Sequence, residues 1–142
     1  MGVENYSIRD RVWLERVTPP EMIEGLPCSV VACCCAFVAH GMDIREAVKK
    51  VRTAVKDLDI HFKGDGWLTL DQMNKLVRTL FAVRRRRDFR RGERPTLSGL
   101  CSGNYDALVC VLGHFVYLRG CKYWSYFDNK GQEVVAIWEL ER

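Results

Sequence analysis

"EGLPCSVVACCCAFVAHG", residues Glu24 to Gly41, holds four of the chain's seven cysteines within eight positions. From Cys28 to Ala39 the stretch is apolar nearly all round, the pattern of a helix buried on every side. Gly41 stands where a helix takes its left-handed C′ glycine. Cys28 differs from the other three cysteines because it follows Pro27 and opens the helix. Free backbone N–H groups and the positive end of the helix dipole there favour a thiolate. Cys33, Cys34 and Cys35 lie in mid-helix and read as plain core. They cannot share a zinc ion, because helical neighbours point about 100° apart. No C-x-x-C pair occurs anywhere in the chain.

Around this stretch the composition is ordinary for a globular protein, with 48% hydrophobic and 28% charged residues in 142 and a net charge of +4. That length suits a single domain, 1–142, with residues 1–20 as an extended or helical N-terminal arm. The longest apolar run, Val30 to Ala39, is far short of the ~20 residues that cross a bilayer, so no membrane is expected. "MGVENYSIRDR" has no export pattern. Tyr6 occupies the position where a myristoylation signal needs Ser or Thr. With an odd number of cysteines as well, reduced thiols and a cytoplasmic location are expected.

Beyond Gly41, "DIREAVKKVRTAVKDL" keeps helical spacing through Ile44, Val48, Val51, Val55 and Leu58, with Asp43 and Glu46 as a capping box. "GDGW" is a turn, and Thr69 with Gln72 caps a third helix whose inner face is Leu70, Met73, Leu76, Val77 and Leu80. The period then changes. "FAVRRR" is expected to be a strand, "RRGERP" a loop and "TLSGLCSGN" a short helix or ordered turn. "ALVCVL", "HFVYLRG", "KYWSYFD" and "QEVVAIWELE" read as a meander. An N-terminal helical part followed by an antiparallel β-sheet makes an α+β domain.

A cysteine nucleophile needs a lowered pKa, a histidine to move the proton and a third group to orient that histidine. Of the three histidines, His40 is roughly 18 Å along the helix from Cys28, too far to serve as its base. His61 has no evident partner. His114 opens the strand "HFVYL", and a tight turn at Arg119-Gly120-Cys121-Lys122 brings the chain back, with Asp128 expected beside His114. Asn129 is the neighbouring alternative.

This order of helix-opening Cys, strand-opening His and Asp or Asn on the returning strand resembles the papain-like cysteine peptidases. "GHFVYLRGCKYWSYFDN" is similar to the His-to-Asp hairpin of two compact branches, the bacteriocin-processing peptidase domains and the Josephin-type deubiquitinases. "GDGWLTLDQMNKLVRTL" resembles the helical segment between Cys and His in such domains. The resemblance covers roughly residues 20 to 140 as a spaced pattern. It implies a papain-like fold and thiol hydrolysis of a peptide or isopeptide bond in a protein or peptide substrate, without cofactor or metal. Cys28 carries over as nucleophile, His114 as general acid and base, and Asp128 as orienter. One family element departs: the Gln usually found five or six residues before the Cys, which helps bind the oxyanion, is here Ile23 or Met22. Losing one such donor typically costs about 10²–10³ in rate. That departure keeps open a second reading, a catalytically silent papain-like module that binds a protein partner.

The run Arg84 to Arg91, "RRRRDFRR", is the other conspicuous feature. As a strand it sends alternate arginines to opposite faces, and Asp88 and Glu93 dilute its field, which disfavours nucleic acid. A solvated edge strand, or docking to an acidic protein partner, fits the run better.

Overall fold

The buried helix forms as its pattern requires. In a computed structural model that describes residues 13–63 and 68–141, α1 runs Cys28–Ala39 and buries every residue from Ser29 to Phe37. His40 caps its end, and Gly41 follows at φ +99°, a backbone angle that favours glycine. Helix α2, Ile44–Asp57, packs against α1 through Ala47, Val51 and Ala54. The larger Ile44, Val48, Val55 and Leu58 flank this stripe and are half-buried. The smaller alanines occupy the contact line, which lets the two axes approach closely. Asp43 caps α2 through Arg45 N–H. Helix α3, Leu70–Leu80, carries the full capping box between Thr69 and Gln72 and buries Met73, Leu76 and Val77. Residues 1–12 and the "GDGW" turn lie outside the described residues.

Six strands form one sheet: β1 (Glu15–Val17), β2 (Val83–Asp88), β3 (Asp106–Val111), β4 (His114–Arg119), β5 (Lys122–Trp124) and β6 (Val134–Leu140). Their order is β1-β5-β4-β3-β6-β2. The domain is therefore α+β. The sheet is not antiparallel throughout: β1 pairs with β5 in parallel, Glu15 opposite Lys122 and Val17 opposite Trp124. "TLSGLCSGN" contains a 3-10 turn at Ser98–Gly103, and "KYWSYFD" leaves the sheet after Trp124.

Strand alternation divides the core. Leu108, Cys110, Phe115, Tyr117, Ala136 and Trp138 face the three helices. Ala107, Val109, Val111, Val116, Leu118 and Ile137 face away, under Leu14, Leu97, Leu100 and Cys101. Trp138 is fully buried and donates its indole N–H to Asn74 Oδ1 at 2.9 Å, which ties α3 to the sheet.

The arginine run occupies the edge strand β2, and much of it is engaged within the chain. Arg85 pairs with Glu139 at 2.7 Å, Arg86 pairs with Asp88 at 2.8 Å and lies over the Trp138 ring, and Arg87 lies over Phe89. Among the described residues no helix is long and apolar enough to cross a membrane.

Candidate functional site

Pro27 is the N-cap of α1, and no side chain caps the first turn. Proline's fixed φ suits this position, and the turn's amides are left to other acceptors. The backbone amides of Phe115 and Ser29 lie near enough to Cys28 Sγ to favour its thiolate. Phe115 stands near the start of β4, one residue past His114, so the half-buried thiol lies near that strand end. Burial outweighs these donors and pushes the Cys28 thiol above its ordinary value of 9.0. The lowered pKa expected from the helix terminus is therefore not what the site has at rest.

His114 is the first residue of β4. A two-residue turn, Leu112-Gly113, sets it there opposite Val111, with Gly113 at φ +76°. Burial lowers the His114 pKa below 6.5. Its ring meets Phe127 edge-on, with centroids 5.6 Å apart. Its Nε2 lies 3.3 Å from Ser125 Oγ. Ser125 Oγ donates to Asn129 Oδ1 at 2.5 Å and accepts Phe127 N–H at 3.1 Å. With its one proton committed to Asn129, the hydroxyl can only accept from His114. That assigns the proton to Nε2 and leaves the Nδ1 lone pair free.

Asn129 is buried and held on several sides. Its Nδ2 donates to Gln132 Oε1 at 2.7 Å, and its backbone N–H donates to Tyr123 Oη at 3.3 Å. Asp128 is exposed and turned elsewhere: its Oδ1 accepts from Tyr123 Oη at 3.3 Å and from Lys130 N–H at 3.1 Å. The Lys130 amide is the main cause that holds the Asp128 carboxyl below its ordinary range. Among the described residues no hydrogen bond joins His114 to Asp128, nor Cys28 to His114. The hairpin register explains the first. Arg119 pairs with Lys122 and Tyr117 with Trp124, but β5 then ends and the chain turns, so Ser125 arrives at His114.

Ser125 was not visible as a site residue in the sequence. Its position depends on β1, whose Val17 carbonyl accepts Ser125 N–H at 3.1 Å and whose Arg16 donates to the Ser125 carbonyl at 3.2 Å. Tyr126 then donates to the Pro20 carbonyl at 2.6 Å, clamping this segment to the 3-10 turn Glu21–Ile23 that leads into α1. Ile23 is 0% exposed, and Met22 points to solvent, 55% exposed. The remaining histidines serve elsewhere. His40 lies 2.8 Å from buried Asp106, which also accepts from Tyr117 Oη, and His61 lies 2.9 Å from Asp59.

No known protein family, curated protein or solved structure matches this chain.

Proposed function

We propose that the chain is a papain-like thiol hydrolase that cleaves a peptide or isopeptide bond through an acyl-enzyme on Cys28. One observation carries this reading: Cys28 opens α1 against the amide next to His114, while Ser125 and Asn129 hold that imidazole with Nδ1 free. His114 stands at the first position of β4, so its ring must swing around that strand end to reach the thiol; its Nδ1 then takes the thiol proton as Cys28 Sγ attacks the carbonyl carbon. First-turn amides of α1 receive the developing oxyanion, a role that needs only preorganised N–H donors. The imidazolium returns its proton to the leaving amine, which departs and leaves a thioester. Water, deprotonated by His114, then attacks the thioester and releases the acid and the thiol. In this account Asn129, the alternative orienter, acts through Ser125, and Asp128 supports the same loop from outside.

The surroundings favour a protein or peptide substrate. Phe127, 62% exposed, meets the His114 ring, and Leu112, 48% exposed, lies in the turn just before it, so apolar surface is open near the histidine. Arg91, Arg94 and Glu133 line a groove with Leu112; Glu133 pairs with Arg94 at 3.9 Å, so any preference there for an acidic residue of the substrate or partner rests on Arg91.

The silent-module reading has its own support. The Cys28 pKa is raised, and Ile23 fills a core position where an oxyanion Gln would stand. By strand alternation His114 also shares the side of Val116, away from α1. Turnover of quenched fluorescent peptide and isopeptide libraries decides between the two. Hydrolysis that is lost in Cys28→Ala supports the enzyme. Binding of a partner that is identical in wild type and Cys28→Ala, with no hydrolysis in either, supports the module.

A further inference from the structure

Two thiols outside this site lie against each other. Cys101 belongs to the Ser98–Gly103 turn, and Cys121 to the two-residue turn between β4 and β5. Cys121 Sγ is 3.8 Å from the Cys101 carbonyl oxygen, which places the two cysteines side by side. Backbone bonds hold the turns together: Gly120 N–H donates to the Tyr105 carbonyl at 2.7 Å, and the Cys121 carbonyl accepts Glu15 N–H at 2.7 Å. Cys121 is the one exposed thiol of the seven, and Cys101 is buried.

We propose that Cys101 and Cys121 are a reversible redox pair, closed to a disulfide by a low-molecular-weight disulfide of the glutathione class. The exposed Cys121 attacks first. Its thiolate bonds to one sulfur of the oxidant, the oxidant's S–S bond breaks, and one small thiol leaves with the proton that Cys121 gave up. Cys101 then attacks the Cys121 sulfur, and the second small thiol leaves with the Cys101 proton. Two electrons pass from the protein to the oxidant, and two protein thiols become one disulfide. Burial first, and then the neighbouring Cys121 thiol, push Cys101 up to about 11, which makes it the second attacker rather than the first. The bond would staple the Ser98–Gly103 turn to the β4–β5 turn and enclose β3 and β4, including His114. This pair does not depend on the hydrolase reading.

The test is native wild-type protein incubated with oxidised glutathione, trapped with N-ethylmaleimide and mapped by non-reducing peptide mass spectrometry. The expected result is a Cys101–Cys121 crosslink that dithiothreitol reverses. Cys121→Ser is expected to lose the crosslink, and Cys101→Ala to accumulate glutathione on Cys121 several-fold above wild type. Circular dichroism confirms that each variant is folded; Cys121→Ser, at an exposed position, carries the test if Cys101→Ala is not. A wild type that keeps a stable glutathione adduct on Cys121 with Cys101 free would overturn the proposal. A crosslink of Cys121 to a second chain would do the same.

Discussion

The hydroxyl of Ser125 bridges His114 and Asn129, 3.3 Å from the imidazole and 2.5 Å from the amide oxygen. A serine thus stands where a direct contact from Asp128 or Asn129 was expected.

The first prediction sets Asn129 against Asp128. Asn129→Ala and Ser125→Ala are each expected to lower the reaction of Cys28 with a peptide vinyl sulfone on the order of 10²-fold, because the ring loses its anchor. Asn129→Ala should also cost about 1–3 kcal/mol through its orphaned buried partners. Asp128→Ala, at an exposed turn, should leave both the reaction rate and the stability nearly unchanged. Second-order labelling rates beside urea denaturation separate the two effects. An Asp128→Ala rate as low as that of Asn129→Ala would return the orienting role to Asp128.

Much of the architecture was legible because its signals are local. The all-apolar helical stretch from Val30 to Phe37, the Thr69–Gln72 box and the short apolar runs of β3, β4 and β6 each specify their element with few competitors. The three-residue β1 carries no such pattern: "ERV" becomes a strand only because β5 offers it a parallel edge. Without β1 to anchor Ser125, the sequence pattern carries the hairpin past Trp124 and sets Asp128 at His114. The Cys28 thiol shows the same limit, since helix position argues for a lowered pKa while burial, a tertiary property, raises it.

Stability should depend on pH with two limbs. Burial depresses the His114 pKa in the folded chain, so its contribution is present above 6.5 and is lost as pH falls through the lower folded value. The buried thiols act oppositely. Cys34 and Cys101 are pushed up to about 11, Cys35 and Cys110 to about 12. Their contribution is complete below 9.0 and is lost as pH rises through those folded values. Urea midpoints measured across the range should therefore form a plateau between about 6.5 and 9.0. Stability that climbs steadily into alkaline solution would contradict this.

The link between α3 and the sheet rests on Trp138 and Asn74. Trp138→Ala should cost about 3–5 kcal/mol through the cavity it opens. Asn74→Ala should cost about 1–3 kcal/mol by leaving the buried indole N–H without its acceptor. Calorimetry of both variants is the check; a neutral Asn74→Ala would mean that another acceptor takes over.

Arg85→Gln should cost no more than about 1 kcal/mol, since its pair with Glu139 is largely solvent-exposed on the arginine side. Arg87→Gln should cost about 0.5 kcal/mol or less. No oligonucleotide affinity with a steep salt dependence is expected. Finding one would give the arginine run a role in nucleic-acid binding.

The central claim is that His114 activates Cys28, and covalent labelling tests it most directly. Wild type, His114→Ala, Cys33→Ala and Cys28→Ala are each treated with the same peptide aldehyde or vinyl sulfone, and the modified residue is identified by mass spectrometry. Wild type and Cys33→Ala should react at Cys28 at equal rates, His114→Ala should be slower by about 10²–10⁴-fold, and Cys28→Ala should not react. Equal slow rates in wild type and His114→Ala, or modification spread over several cysteines, would contradict the hydrolase reading and leave the binding module.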